Sequence, residues 1–373
     1  MGRYDVLRRI EQLDPAVDFR EIYRLTSTYE FPWDMTQALS FALFRTYAVP
    51  SIGGLLRRTG EFVERSQKRY DDTVLILDAV LEHGPAEAEG RTAVRRMNQM
   101  HRAYDIADDD LRYVLATFVV SPIRWIDAYG WRRLSENERI ASANYYRELG
   151  RHMGIRDVPE TWQDFAGLLD DYEREHFAFD DGGRAVADAT LDLFATFPMN
   201  RFTPGPAVRQ MSYALMDDPL LDAFRFPHPH PAVRALVRGG LAARGRVVRF
   251  FPPRRSPSYA RELPQVRSYP HGYDIAALGT FPERKDAVTS SSRPCCPPAS
   301  SSDGPGGVQS LADSCRRGSD NAARTGQTLP DAAPVRRPDE CQTAPATSGT
   351  TGPDVRPSGS VACPIPWPWR SPG

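Results

Sequence analysis

The stretch RRMNQMHRAYDIADDD, residues 95–110, sets a single histidine inside a helical pattern. In the wider run TAVRRMNQMHRAY, Val94, Met97, His101 and Tyr104 recur at steps of three, four and three, the spacing of one helix face. A helix spends such a face on packing. His101 there either hydrogen-bonds a neighbour in the core or holds a ligand. A neutral imidazole binds iron through one ring nitrogen when an acceptor holds the other, and the sequence names no such acceptor.

Outward from this stretch, the first 285 residues read as nearly all helix. GGLLRRTGEFVERSQ puts Leu55, Thr59, Phe62 and Ser66 on one stripe. DDTVLILDAVLEHG has carboxylates at its start, where Asp71 and Asp72 read as caps, and Gly84 at its end. DDDLRYVLATFVVSP opens on Asp caps and is expected to stop near Pro122. SENERIASANYYRELGRHMG carries the capping-box pair Ser135 and Glu138 and closes on Gly154. TWQDFAGLLDDYEREHF and GRAVADATLDLFATFP add two amphipathic helices. Pro227, Pro229 and Pro231 then interrupt the chain before a last basic helix, AVRALVRGGLAARGRVVRFF. The expected fold is all-α: one helical domain of about ten helices over residues 20–285, with 1–19 as an N-terminal helical extension.

Composition changes near residue 285. Fourteen of the 33 prolines fall from Pro294 onward, and Tyr273, Phe281 and Lys285 are the last of their kinds. A segment so poor in large apolar groups cannot offset its ordering entropy, so residues 286–373 are expected to be a disordered tail. All five cysteines (Cys295, Cys296, Cys315, Cys341 and Cys363) lie there, which leaves the helical part without a disulfide or thiolate ligand. The 47 basic and 48 acidic residues balance, so nothing global favours nucleic acid. The N-terminus has neither a signal-peptide core nor a myristoylation motif, and no apolar run approaches about 18 residues. The expectation is a soluble, cytoplasmic chain with no transmembrane segment.

Other chemistry-bearing residues admit two readings each. Thr59 interrupts an apolar stripe, where its hydroxyl bonds its own helical turn or polarises a bound ligand. In QKRYDDT (67–73), Lys68 and Arg69 suit anionic groups such as phosphates or haem propionates. EREH places Glu173 and His176 at di-iron spacing, but no second Glu-x-x-His accompanies it. His228 and His230 in PHPHP form either a metal clip or a plain connector. No nucleophile elbow, P-loop or dinucleotide fingerprint is present.

Several of these stretches together carry a family resemblance: LLRRTGEF, QKRYDDT, RRMNQMHRAYDIADDDLRYVLATFVVSPIRW, YGWRRLS, GRHMGIRDVP, YEREHF and SYPHGYDIAALGTFP. The chain resembles, over roughly residues 20–282, the oxygenase MpaB family, which shares a catalytic domain with the latex clearing proteins, the rubber oxygenases. That resemblance implies a globin-like helical core, a haem b cofactor and dioxygen chemistry on a small apolar substrate: a prenyl, terpenoid or polyisoprenoid alkene. It implies His101 as the proximal iron ligand and Arg58 with Thr59 as the catalytic pair; Lys68 and Arg69, by their own charge, are the expected cofactor-binding cations. Two positions depart from the rubber enzymes: Arg58 stands where they carry lysine, and Leu55 where they carry an arginine. The alternative is a non-catalytic helical haem- or lipid-binding protein of the same fold.

Overall fold

Residues 2–280 are described in a computed structural model; the tail expected to be disordered lies outside them. Among the described residues there are fourteen α-helices and no strand. The chain opens with α1 (Asp5–Gln12), α2 (Phe19–Leu25), α3 (Pro32–Tyr47), α4 (Pro50–Arg58) and α5 (Glu61–Glu64). It continues through α6 (Ser66–His83), α7 (Ala88–His101), α8 (Asp108–Tyr129), α9 (Glu136–Met153) and α10 (Trp162–His176). It closes with α11 (Asp181–Ala195), α12 (Gly205–Leu215), α13 (Asp218–Phe224) and α14 (Pro231–Val248). The count exceeds the ten expected because one- and two-turn pieces such as α5 and α13 carry too few residues for periodicity to reveal them.

The caps read from sequence are in place. Ser135 and Glu138 form the reciprocal capping box of α9, and Gly154 ends that helix in the left-handed conformation. Two boundaries differ. α8 runs through Pro122 to Tyr129 instead of stopping there. An internal proline costs about 3 kcal/mol. Beyond it Trp125, Ile126 and Tyr129 are buried, each contributing roughly 1.5–3 kcal/mol, so tertiary packing outweighs the break. The cap of α8 is Ala107, and its acids stand inside the first turn.

α6 likewise begins at Ser66, five residues before the expected Asp caps, and its aspartates do other work. Asp71, fully buried, accepts from the backbone N–H groups of Arg267 (3.1 Å) and Ser268 (2.8 Å) and from the Ser268 hydroxyl (2.6 Å). Asp72 accepts from the Tyr269 hydroxyl. Asp78 accepts from the N–H groups of Ala260 (3.2 Å) and Arg261 (2.7 Å), and burial pushes its carboxyl up to about 6. One helix thereby clips down an irregular strap, residues 258–280, that has almost no secondary structure of its own. The strap ends against α7: Arg96 donates to the Leu278 carbonyl. Gly279 has φ +75°, and a Cβ there would stand 2.1 Å from the Met100 sulfur.

Packing divides among three clusters. The largest surrounds α8, with Tyr113, Val119, Trp125 and Ile126 against α3, α9 and α10. A second joins α11, α12 and α13 around Leu191, Phe194 and Phe224. α1, α2 and α9 share a small third cluster of Ile10, Ile22 and Ala141. Buried Arg45 of α3 links the first two, pairing with Glu173 of α10 and, at 2.9 Å, with Asp217, the N-cap of α13. The bent pair α3–α4 turns through 97°, and no single described helix is long and apolar enough to cross a membrane.

Removing the Asp71 carboxylate strands several buried donors at once. Asp71→Ala is expected to lower unfolding stability by about 2–4 kcal/mol in urea titration; a loss under about 0.5 kcal/mol would show that the strap contributes little.

Candidate functional site

The α4–α6 corner is where one expected stripe becomes three pieces. Gly60, at φ +76°, turns the chain between α4 and α5, and α6 starts two residues after α5 ends. Leu55, Thr59, Phe62 and Ser66 nonetheless all face one cavity of about 550 Å³. Its other walls come from α3, α7, α8, α9 and α11, with Thr280 of the strap at one side. The volume falls in the range of roughly 300–1,000 Å³ usual for small-molecule sites. Its lining is mainly apolar, with Leu56, Ile76, Leu77, Val114, Phe118 and Leu149 among the walls.

His101, the last residue of α7, lines this cavity beside Met97, Met100 and Tyr104. α7 is held in place from both flanks, by Arg96 on the strap and by Asn98, which donates to the His152 carbonyl of α9 at 3.0 Å. The imidazole makes no hydrogen bond or ion pair with any described residue. A helix C-terminus favours a charged histidine, yet burial, with a smaller contribution from the Arg69 charge, brings the ring down to about 4. At neutral pH it is therefore an uncharged electron-pair donor pointed into an apolar chamber.

Arg69 lines the same cavity and forms no ion pair among the described residues. Its guanidinium donates to the Thr73 hydroxyl at 2.7 Å and lies over the Phe62 ring at 4.9 Å. Burial holds it below its ordinary value, opposed by the more distant Asp72. Two buried carboxylates reach the cavity, and both are engaged elsewhere. Glu61 pairs with Arg65, while Asp110 accepts from Ser51 (2.9 Å) and Tyr172 (2.7 Å). Arg69 is thus a partly buried cation without an ion-pair partner among the described residues, and its natural complement is an anionic group entering the cavity. An imidazole and a guanidinium facing one cavity are the donor types that would hold an iron and a carboxylate, so the residues present are compatible with a haem.

The remaining candidates sort by position. Arg58 is exposed at the cavity edge and forms no ion pair among the described residues. Thr59 lines the cavity, and its hydroxyl donates to the Leu56 carbonyl at 2.7 Å, the back-bonded alternative of the two readings. Lys68 does not line the cavity; its ammonium pairs with Asp72 at 2.7 Å across one helical turn. The i, i+4 spacing explains the split. Lys68 meets an aspartate four residues on, whereas Arg69 meets Thr73. Reading the helix from Asp71 hid that signal, and no local pattern marked Glu61 or Asp110 as cavity residues. The Glu-x-x-His spacing, which lacks a second copy, serves other contacts: Glu173 is taken by Arg45, and the His176 ring stacks on Tyr172 at 4.0 Å. His230 caps α14 and His228 meets Asp222 at 2.8 Å, so PHPHP is a connector. No group of three metal-ligating side chains exists among the described residues.

The lowered His101 value has a definite sign. The unfolded chain takes up a proton near 6.5 and the folded chain only near 4, so the unfolded state holds more protons in between. Stability then falls as pH falls through that interval. Relative to His101→Gln, which also cancels any contribution from Asp78, the haem-free protein is expected to lose about 2 kcal/mol between pH 7 and pH 5. Equal losses in the two proteins would mean the ring is solvated.

Comparison with known proteins identifies the family. The family model for the ER-bound oxygenase mpaB/B'/rubber oxygenase catalytic domain matches residues 29–250, which include Arg58, Thr59, Arg69 and His101. The chain is 33% identical over 250 residues to the ER-bound oxygenase mpaB' of Penicillium brevicompactum, covering 62% of this chain and 58% of that protein. It is 33% identical over 225 residues to the mpaB of Penicillium roqueforti (strain FM164), covering 55% and 74%. The mpaB of Penicillium brevicompactum is 32% identical over 194 residues, covering 47% and 50%. The chain spans less than two thirds of the length of the first of these relatives. With more than half its length matched by the domain model, the chain belongs to the mpaB and rubber oxygenase catalytic-domain family.

Proposed function

We propose that this protein is a haem-b-dependent oxygenase acting on an apolar alkene such as a prenyl, terpenoid or polyisoprenoid chain. The observation that carries the reading is the neutral, unpartnered His101 imidazole facing a mainly apolar cavity of about 550 Å³ in a chain of this oxygenase family. His101 would hold the iron and Arg69 a propionate. When bound, the haem supplies the iron centre at which dioxygen is activated.

The chain's own residues supply the rest. Leu55, Leu56, Ile76, Leu77, Val114 and Phe118 bind the hydrocarbon by excluding water, at roughly 25 cal/mol for each Å² covered. Few polar groups orient it, which suits a substrate that has few to offer. A second cavity of about 110 Å³ has Leu43, Leu77, Phe118 and Tyr146 in common with the first, which leaves room for a chain longer than one isoprene unit. Thr59 keeps its hydroxyl oxygen at the cavity wall as an acceptor while its proton is held by Leu56. Arg58 sets a positive charge at the rim, where it attracts anions and partial negative charge.

The first test is spectroscopic. Haem added to the purified chain is expected to give a Soret band, and His101→Ala to lose most of it; no band with the unmodified chain would overturn the reading. Arg69→Gln is expected to weaken haem binding about tenfold without moving the band, since a charge-assisted hydrogen bond is worth about 1.5–3 kcal/mol. Dioxygen uptake with a polyisoprenoid separates an oxygenase from a haem carrier of the same fold: haem binding without uptake favours the carrier.

A further inference from the structure

Three of the four arginines of α14 face the protein beside the core-packed Val237, Leu241 and Val248: Arg234 pairs with Asp218 at 2.6 Å, Arg238 donates to the Ala214 and Met216 carbonyls, and Arg244 reaches Asp34 at 2.9 Å. Its outward face is apolar, with Leu236 76% exposed and Val247 55% exposed. Just past the helix end, Phe250 is 85% exposed and Phe251 56% exposed. Four further arginines lie within four residues of these phenylalanines in sequence. Arg246, Arg249, Arg254 and Arg255 are exposed and form no ion pair among the described residues. From residue 223 to 261 there are nine arginines and no Asp or Glu, in a chain whose formal net charge is −1.

We propose that the end of α14, with Val247, Phe250 and Phe251 as the apolar wedge and Arg246, Arg249, Arg254 and Arg255 around it, docks on a bilayer surface of anionic lipid. Solvent-facing phenylalanines have no reason to pair with a ring of unneutralised arginines unless the facing surface is apolar inside and negative outside, which is the profile of an anionic leaflet. The area argues against a second copy as the occupant. Two phenylalanines so exposed offer about 300 Å², from about 150–250 Å² each when fully covered. A stable dimer needs about 800 Å² on each partner. Interfacial insertion needs only a few large side chains aided by about 1 kcal/mol for each basic residue near the surface. The proposal is independent of the haem reading, and either can fail alone.

The test is co-sedimentation of the purified full chain with vesicles. One set is phosphatidylcholine alone, the other about seven parts phosphatidylcholine to three parts phosphatidylserine, with the mixed set expected to bind far more tightly at low salt and progressively less as salt rises. Phe250→Ser with Phe251→Ser is expected to lower binding about tenfold or more, and Arg254→Glu with Arg255→Glu to do the same on the anionic set only. All these positions are exposed, so circular dichroism and thermal melting should match the unmodified chain. No binding to the anionic vesicles, equal binding to both sets, or binding that survives both double substitutions would overturn the proposal. So would a dimer in sedimentation equilibrium that the phenylalanine substitutions dissolve, because the face would then belong to a second copy.

Discussion

Arg69 bears a charge inside a mainly apolar cavity, and the two buried carboxylates that reach the same space are committed to other donors. A cation held out of water without an ion-pair partner is costly, because the hydration it forgoes is offset only by the weaker attraction of Asp72 and Glu61 and by its bond to Thr73. The same cavity holds an imidazole that burial keeps neutral and that no described residue engages. A hydrophobic core built only for stability would have used an apolar side chain at either position. These two departures lie on adjacent helices and face one chamber.

Keeping that chamber open demands rigid walls, and α6 supplies much of the rigidity. Its inner face gives Arg69, Thr73, Ile76 and Leu77 to the cavity, while Asp71, Asp72 and Asp78 grip the C-terminal strap. The strap has few internal backbone hydrogen bonds, so side-chain carboxylates take over the accepting role that a sheet or helix would otherwise play. It also carries Thr280 to the cavity and packs Gly279 on Met100, one residue before His101. Site and closure are therefore mechanically joined: what holds the strap down also fixes the ground on which the imidazole stands.

Two features of the molecule are apolar: the lining of the chamber and the exposed phenylalanines past the end of α14. The buried Arg45–Glu173–Asp217 group does not line the chamber. It locks α3, α10 and α13 in register, and it accounts for the glutamate whose spacing to His176 resembled a metal motif.

Local order could be read along the chain because it is encoded locally. The 3.6-residue period put Met97, His101 and Tyr104 on one face, and the structure has them lining one cavity. The Ser135–Glu138 box and Gly154 marked the ends of α9 because capping depends on side chains within one turn. Tertiary structure alone decided that α8 passes Pro122, that Asp71 and Asp72 serve a segment almost 200 residues away, and that Arg69 forms no ion pair among the described residues while its neighbour Lys68 does. Each of those outcomes balances a local preference against burial by residues distant in sequence. Periodicity and capping rules carry no information on which distant residues those will be.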